Sequence, residues 1–262
     1  MFGFKRRRRQ RLRQRPLTAE WLAIIRRNVR YYDLLSPEER KELLGHVQVF
    51  LDEKRFEGCG GLEITDEVRL TIAALACLLL LNRQTDYYPK LPSILVYPHG
   101  YLVDAAERLP AGIVAEGVQA RRGESWYRGP VVLSWDDVQR DAADFCDGHN
   151  VVLHEFAHQL DSESGALEGT PALAQRSLYV TWERVLGSEY RRLVNDLEHH
   201  RGVLLPAYAA TSPAEFFAVA TETFFEQPLA LRQRHPELYE QLQTFYAQDP
   251  AARFERTGQR LG

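Results

Sequence analysis

The stretch Asn150-Val151-Val152-Leu153-His154-Glu155-Phe156-Ala157-His158-Gln159-Leu160-Asp161-Ser162 decides which fold and which chemistry are open to this chain. Its spacing predicts a helix that begins near Asn150 and fades near Gly165. On a helix, residues four apart lie on one face, so His154 and His158 turn two imidazoles toward one point. Each can ligate a divalent ion at about 2.0–2.1 Å. Glu155 lies about 100° round the helix from His154, where it reaches a water beside that ion without ligating it, as a general base must. In a shuffled chain of this composition the pattern would occur on the order of 0.02 times. The competing reading is an ordinary surface helix. The apolar residues Val151, Val152, Leu153, Phe156 and Ala157 argue against it, because two unpartnered histidines in a buried helix are costly.

A catalytic zinc site needs a third protein ligand and an open position. Asp161 shares the stripe, but it lies roughly 7.5 Å along the axis from the midpoint of the histidine pair at 1.5 Å per residue. It reads as a supporting carboxylate behind the ligands; Glu163 and Glu168 are poorer still. Glu215 lies in Ser212-Pro213-Ala214-Glu215-Phe216-Phe217-Ala218-Val219-Ala220-Thr221-Glu222, with Glu222 on the same face of an otherwise apolar helix. Ser212 with Glu215 three residues on is also a capping box, so spacing alone leaves ligand and cap equally open. Glu222 reads as a support for a ligand, or as a ligand itself if Glu215 is not.

The rest of the chain sets the frame. The 262 residues are 45% hydrophobic and 26% charged, which excludes global disorder and leaves room for a sizeable core. The near-apolar run Leu70 to Leu81 is too short to span a bilayer and reads as a buried helix. No secretory signal is apparent, and Cys59, Cys77 and Cys146 form no CxxC pair, as expected of a reduced, cytoplasmic protein. Residues 1–15 carry eight basic groups and no acid; the remainder carries 25 basic against 36 acidic groups, which argues against nucleic acid as the main partner. Residues 1–16 are expected to be a disordered basic tail. Residues 17–262 are expected to form one domain, with residues 17–85 as a candidate N-terminal helical subdomain.

Helix starts are predicted at Thr18, Ser36 and Thr65, then a long helix from about Ala172 to His199, another at Ser212 and a last one at Pro236. Short strands are predicted at Ser93–Tyr97, 113–118 and Val131–Ser134. Few strands among many helices make an α+β fold with a small sheet. Val131, Val132, Leu133 and Ser134 are candidates for an edge strand that pairs with an extended peptide, against a simple core strand.

The segment Asp147 to Asp161, with Ala207-Tyr208-Ala209-Ala210-Thr211-Ser212-Pro213-Ala214-Glu215, resembles the Mlc titration factor A family over about Trp21 to Phe254. These are bacterial zinc metallopeptidases whose catalytic domain is similar to that of anthrax lethal factor. The resemblance implies a mainly helical, zincin-like domain with a small mixed sheet. It implies one zinc ion held by His154, His158 and Glu215, with Glu155 as the catalytic glutamate. It also implies that Tyr208 faces the reacting oxygen; on residue spacing alone Tyr208 reads as a packing aromatic. Cytosolic aminopeptidase-type activity on peptides is implied too, with a link to the glucose phosphotransferase system through binding the repressor Mlc. Two other readings stand beside a peptidase: a regulatory binding module whose peptidase site is latent or secondary, and a structural zinc module, which has no use for Glu155.

Overall fold

The computed structural model describes residues 2–108, 114–121, 123–125, 129–165 and 167–258. It is the expected α+β arrangement, with helices packed around a small sheet.

The first helices follow from their caps. α1 (Phe2–Gln14) is followed by α2 (Ala19–Asn28), where the Thr18 hydroxyl accepts from the Trp21 backbone N–H. A 3-10 turn (Arg30–Leu34) leads to α3 (Pro37–Glu53), opened by a complete capping box between Ser36 and Glu39. The short strand β1 (Arg55–Gly58) and α4 (Asp66–Leu78) come next, the latter capped by Thr65. Leu70 to Leu81 are all buried, through α4 and the turn that follows it.

The sheet comes from the middle of the chain. β2 (Ser93–Tyr97) is followed by an antiparallel pair, β3 (Tyr101–Arg108) and β4 (Val114–Arg121), which form their own ribbon. β5 (Gly123–Ser125) and β6 (Val131–Ser134) return to the main sheet, whose order is β1-β2-β6-β5. β1, β2 and β6 run parallel, and β5 pairs antiparallel to β6. The expected strand over 113–118 is seen from Val114 to Arg121, and residue 113 lies outside the described residues. β6 runs directly into α5 (Trp135–Ala143), with Ser134 as its cap.

The helical half follows: α6 (Val151–Ser162), α7 (Arg176–Glu198), a 3-10 turn (Ala207–Ala210), α8 (Pro213–Glu226), α9 (Pro228–Arg234), α10 (Pro236–Tyr246) and α11 (Pro250–Thr257). The helix opened by Pro236 is therefore not the last. α10 ends on left-handed Ala247, and Asp249-Pro250 restarts the chain as α11, with Asp249 accepting from the Ala252 N–H. Buried apolar side chains from Ile25 to Phe254 form one continuous cluster.

Three expectations are corrected. Residues 2–14 are not a disordered tail but a helix laid on α3. Its basic residues do not all face water: Arg9 forks onto Glu53 at 2.7 and 2.8 Å, Arg8 reaches Asp52 at 2.8 Å, and Lys5 reaches Asp86 at 3.3 Å. The Arg9 guanidinium also stacks 4.7 Å from the Tyr87 ring. Gly45 of α3 permits the approach, because a Cβ there would lie 3.1 Å from the Arg13 carbonyl oxygen. Second, the long helix expected from about Ala172 begins only at Arg176. Third, Val131, Val132, Leu133 and Ser134 are buried between β2 and β5, so both backbone edges of β6 are paired within the sheet. An interior strand has no free edge for a peptide, and these four residues form core.

If the Arg9 network holds α1, Arg9→Ala will cost about 1 kcal/mol, more than an isolated surface pair. It will also release the α1 amides to fast hydrogen exchange. Exchange of residues 5–14 unchanged from wild type would contradict the docking.

Candidate metal centre

α6 is held at its start by its own cap and then by burial. The Asn150 side-chain oxygen accepts from the Leu153 N–H at 3.1 Å. Phe156 packs 4.8 Å from Tyr88 and 5.6 Å from Phe50, centroid to centroid. The apolar face goes to the core, and His154 and His158 are left facing α8 with their ring centroids 4.9 Å apart. α8 packs directly on α6, with Pro213 in its first turn and Ser212 as its cap.

The two helices bring three donor atoms together. Glu215 Oε2 lies 3.0 Å from His154 Nε2 and 3.4 Å from His158 Nε2. All three ligand atoms lie within 4.8 Å of one another, the one such group among the described residues. Donors about 2.1 Å from a tetrahedral ion sit about 3.4 Å apart, so the spacing fits a shared cation. Glu215 Oε2 is shut off from solvent and, despite the short distances, no N–H is directed at it. The donor set of two imidazole nitrogens and one carboxylate oxygen suits a zinc-type ion with an open position.

The two roles open to Glu215 are separated here. Its backbone N–H bonds to the Ser212 hydroxyl at 3.2 Å, which caps the helix. Its carboxylate does not return to Ser212, as Glu39 does to Ser36; it goes to the histidines. Two imidazoles outweigh the cost of burial and hold its pKa far below the ordinary carboxylate range. Burial alone would lower the His154 pKa, but Glu222, Glu215 and Glu155 together raise it well above the ordinary value. Three carboxylates around two rings make the pocket attractive to a cation.

Glu222 stands behind the ligands. Its Oε1 is 2.7 Å from His154 Nδ1, and its Oε2 accepts from the Asn150 N–H at 2.6 Å. One carboxylate thus orients the ring, leaving Nε2 to face Glu215, and ties α8 to the start of α6. Glu155 is 4% exposed. Asp161 is fully buried: its Oδ2 accepts from the Gly169 N–H at 2.8 Å and so anchors the loop after α6, and His158 lies near enough to act on its charge. Tyr208 sits in the 3-10 turn before α8, 55% exposed, with its ring 6.0 Å from that of His154. The Tyr190 hydroxyl donates to Ala210 O at 3.0 Å and steadies that turn.

Three supporting residues escaped the sequence reading. Glu226 accepts from the Asn150 side-chain amide at 3.0 Å and from the Gly148 N–H at 3.2 Å. Burial pushes its pKa well above the carboxylate range. Asp141 of α5 accepts from the Val151 N–H at 2.9 Å, which places a third acid at the N-terminus of α6, where the helix dipole favours it. Asn150 links the set. Glu222 and Glu226, four apart on an apolar helix, were a legible signal of a buried polar face; Asp141 carried none.

Comparison with known proteins gives the class first: a metal-dependent peptidase. The model of the glucose-regulated metallo-peptidase family M90 matches residues 4–247, and the chain belongs to that family. An uncharacterized protein of Synechocystis sp. is 43% identical over 244 residues, covering 93% of this chain and 89% of that one. The proteins named Mlc titration factor A of Yersinia pestis and Yersinia pseudotuberculosis are each 33% identical over 246 residues, covering 93% of this chain and 89% of theirs. Membership implies a metal cofactor, which the donor set fits. Helix α1 falls almost wholly within the family match.

Two outcomes check this architecture. Glu222→Gln will weaken zinc binding about 10–100-fold in competition with a chelator; an unchanged affinity would contradict its orienting role. Asp141, its pKa pushed up to about 6 mainly by burial, binds its proton more tightly folded than unfolded. Stability carried by this group is therefore full below about pH 4 and is lost as pH rises toward 6. The stability of Asp141→Asn relative to wild type will rise by about 3 kcal/mol across that window, measured by urea unfolding. A flat difference would contradict the shift.

Proposed function

We propose that the chain is a zinc-dependent peptidase acting on small peptides, with aminopeptidase-type specificity. The observation that carries this reading is the convergence of His154 Nε2, His158 Nε2 and Glu215 Oε2 beside the buried Glu155. Zinc held there would supply Lewis acidity, making a water nucleophilic near neutral pH and polarising the scissile carbonyl. Glu155 takes the proton of the attacking water and delivers it to the leaving amine. Tyr208, half exposed at the rim, donates a hydrogen bond to the substrate oxygen that gains charge. Glu222 keeps the His154 ring in one tautomer and orientation throughout. β5 is one of the two outer strands of the described sheet and the one that packs beside α6, so an extended peptide can align along it by backbone pairing.

The name Mlc titration factor A, carried by relatives 33% identical over 93% of this chain, supports a second role: binding a transcriptional repressor of the Mlc type. The three free cysteines fit a cytoplasmic setting. No helix among the described residues is long and apolar enough to cross a membrane.

Glu155→Gln separates the roles. It will retain zinc and repressor binding and lose turnover of aminoacyl reporter substrates by about 10²–10⁴-fold. Wild-type turnover in this variant would sink the mechanism.

A further inference from the structure

A cavity of about 510 Å³ lies between α7, α10 and the turn after α4, and none of its lining residues belongs to the metal centre. Leu178, Trp182 and Phe245 form an apolar wall; Asn82, Gln241 and Thr244 supply amide and hydroxyl groups. The volume suits a small organic molecule. Among the described residues that line it, Arg83 is the only charged one and none is an acid.

Arg83 is the anomaly. Its guanidinium lies 4.1 Å from the Phe245 centroid and 5.7 Å from that of Tyr246. Nη1 is shut off from solvent and has no hydrogen-bond acceptor. Among the described residues Arg83 makes no ion pair. Glu163 feels its charge but stands outside pairing distance. Arg83 also borders the broader groove under α1, where Asp86 is engaged with Lys5 and Arg9 and Glu42 with His46 and Arg13, and where the third acid, Glu38, makes no ion pair with Arg83. The half-buried Arg83 guanidinium carries five donors in a rigid fork shaped for carboxylate or phosphate. Leaving such a charge without a counter-ion costs stability, and ring stacking offsets only part of that cost.

We propose that this cavity binds a small organic anion, with its carboxylate or phosphate on Arg83 and its apolar body against Leu178, Trp182 and Phe245. The flanking amides and hydroxyl provide for polar substituents. The site is separate from the peptide-hydrolysing centre and does not depend on that reading.

Phenylacetate and phenyl phosphate serve as probes on the full-length, zinc-loaded protein, with 2-phenylethanol as the uncharged match and inorganic phosphate as the headgroup alone. Thermal shift and calorimetry will show saturable binding of at least one organic anion, at least tenfold tighter than the alcohol or inorganic phosphate; which anion binds tighter identifies the headgroup. Arg83→Met keeps an apolar stem and removes the charged guanidinium. It will weaken binding at least tenfold and, without ligand, raise the melting temperature. Ala174→Trp, at the rim, will block binding while Arg83 stays in place. The proposal is overturned if neither anion binds, if Arg83→Met binds as wild type does, or if Arg83→Met melts lower without ligand, which would make the guanidinium a structural stack. Binding undiminished in Ala174→Trp would place the anion elsewhere and overturn it equally.

Discussion

Two imidazole nitrogens on one buried helix and one carboxylate oxygen on another gather within 4.8 Å of one another around a common centre. Such an arrangement is stable only when a cation fills that centre or a proton stands in for it. Much of the surrounding structure serves this constraint. The apolar face of α6 fixes the rings' direction, the Ser212-Pro213 start of α8 fixes the height of Glu215, and the contact between the two helices fixes the 3.0 and 3.4 Å separations.

The α6–α8 contact is itself a polar clamp inside an apolar core. Glu222 and Glu226 on α8 and Asp141 on α5 meet the first backbone N–H groups of α6 and the side chain of its cap, Asn150. These acids satisfy donors that any helix start leaves without intrahelical partners, and one of them continues to His154. Cap, helix position and ring orientation are thus one connected network. Glu226 joins this network through the Asn150 side chain.

Local chemistry was the legible part. The histidine pair, the caps at Thr18, Ser36, Thr65 and Ser212, and strands Ser93–Tyr97 and Val131–Ser134 depend on neighbours within a few residues. What required the fold was long-range. Glu215 stood between cap and ligand until α8 was seen against α6; its backbone serves the cap and its carboxylate the cluster. Eight basic residues near the N-terminus read as a solvated tail because their acidic partners, Asp52, Glu53 and Asp86, lie some 40 to 80 residues away. Val131–Ser134 read as a strand, but its place inside the sheet follows from the return of β5, which no local pattern announces. Asp161 shared the helical stripe with the histidines, yet the Gly169 N–H claims it for a neighbouring loop.

The most direct test of a shared ion is X-ray absorption at the zinc edge on the purified, zinc-loaded protein. This account predicts one zinc per chain with two imidazole nitrogens and one carboxylate oxygen at about 2.0–2.2 Å and a further light-atom ligand. A spectrum with sulfur in the coordination sphere, or with the imidazole scattering unchanged in His158→Ala, would contradict it.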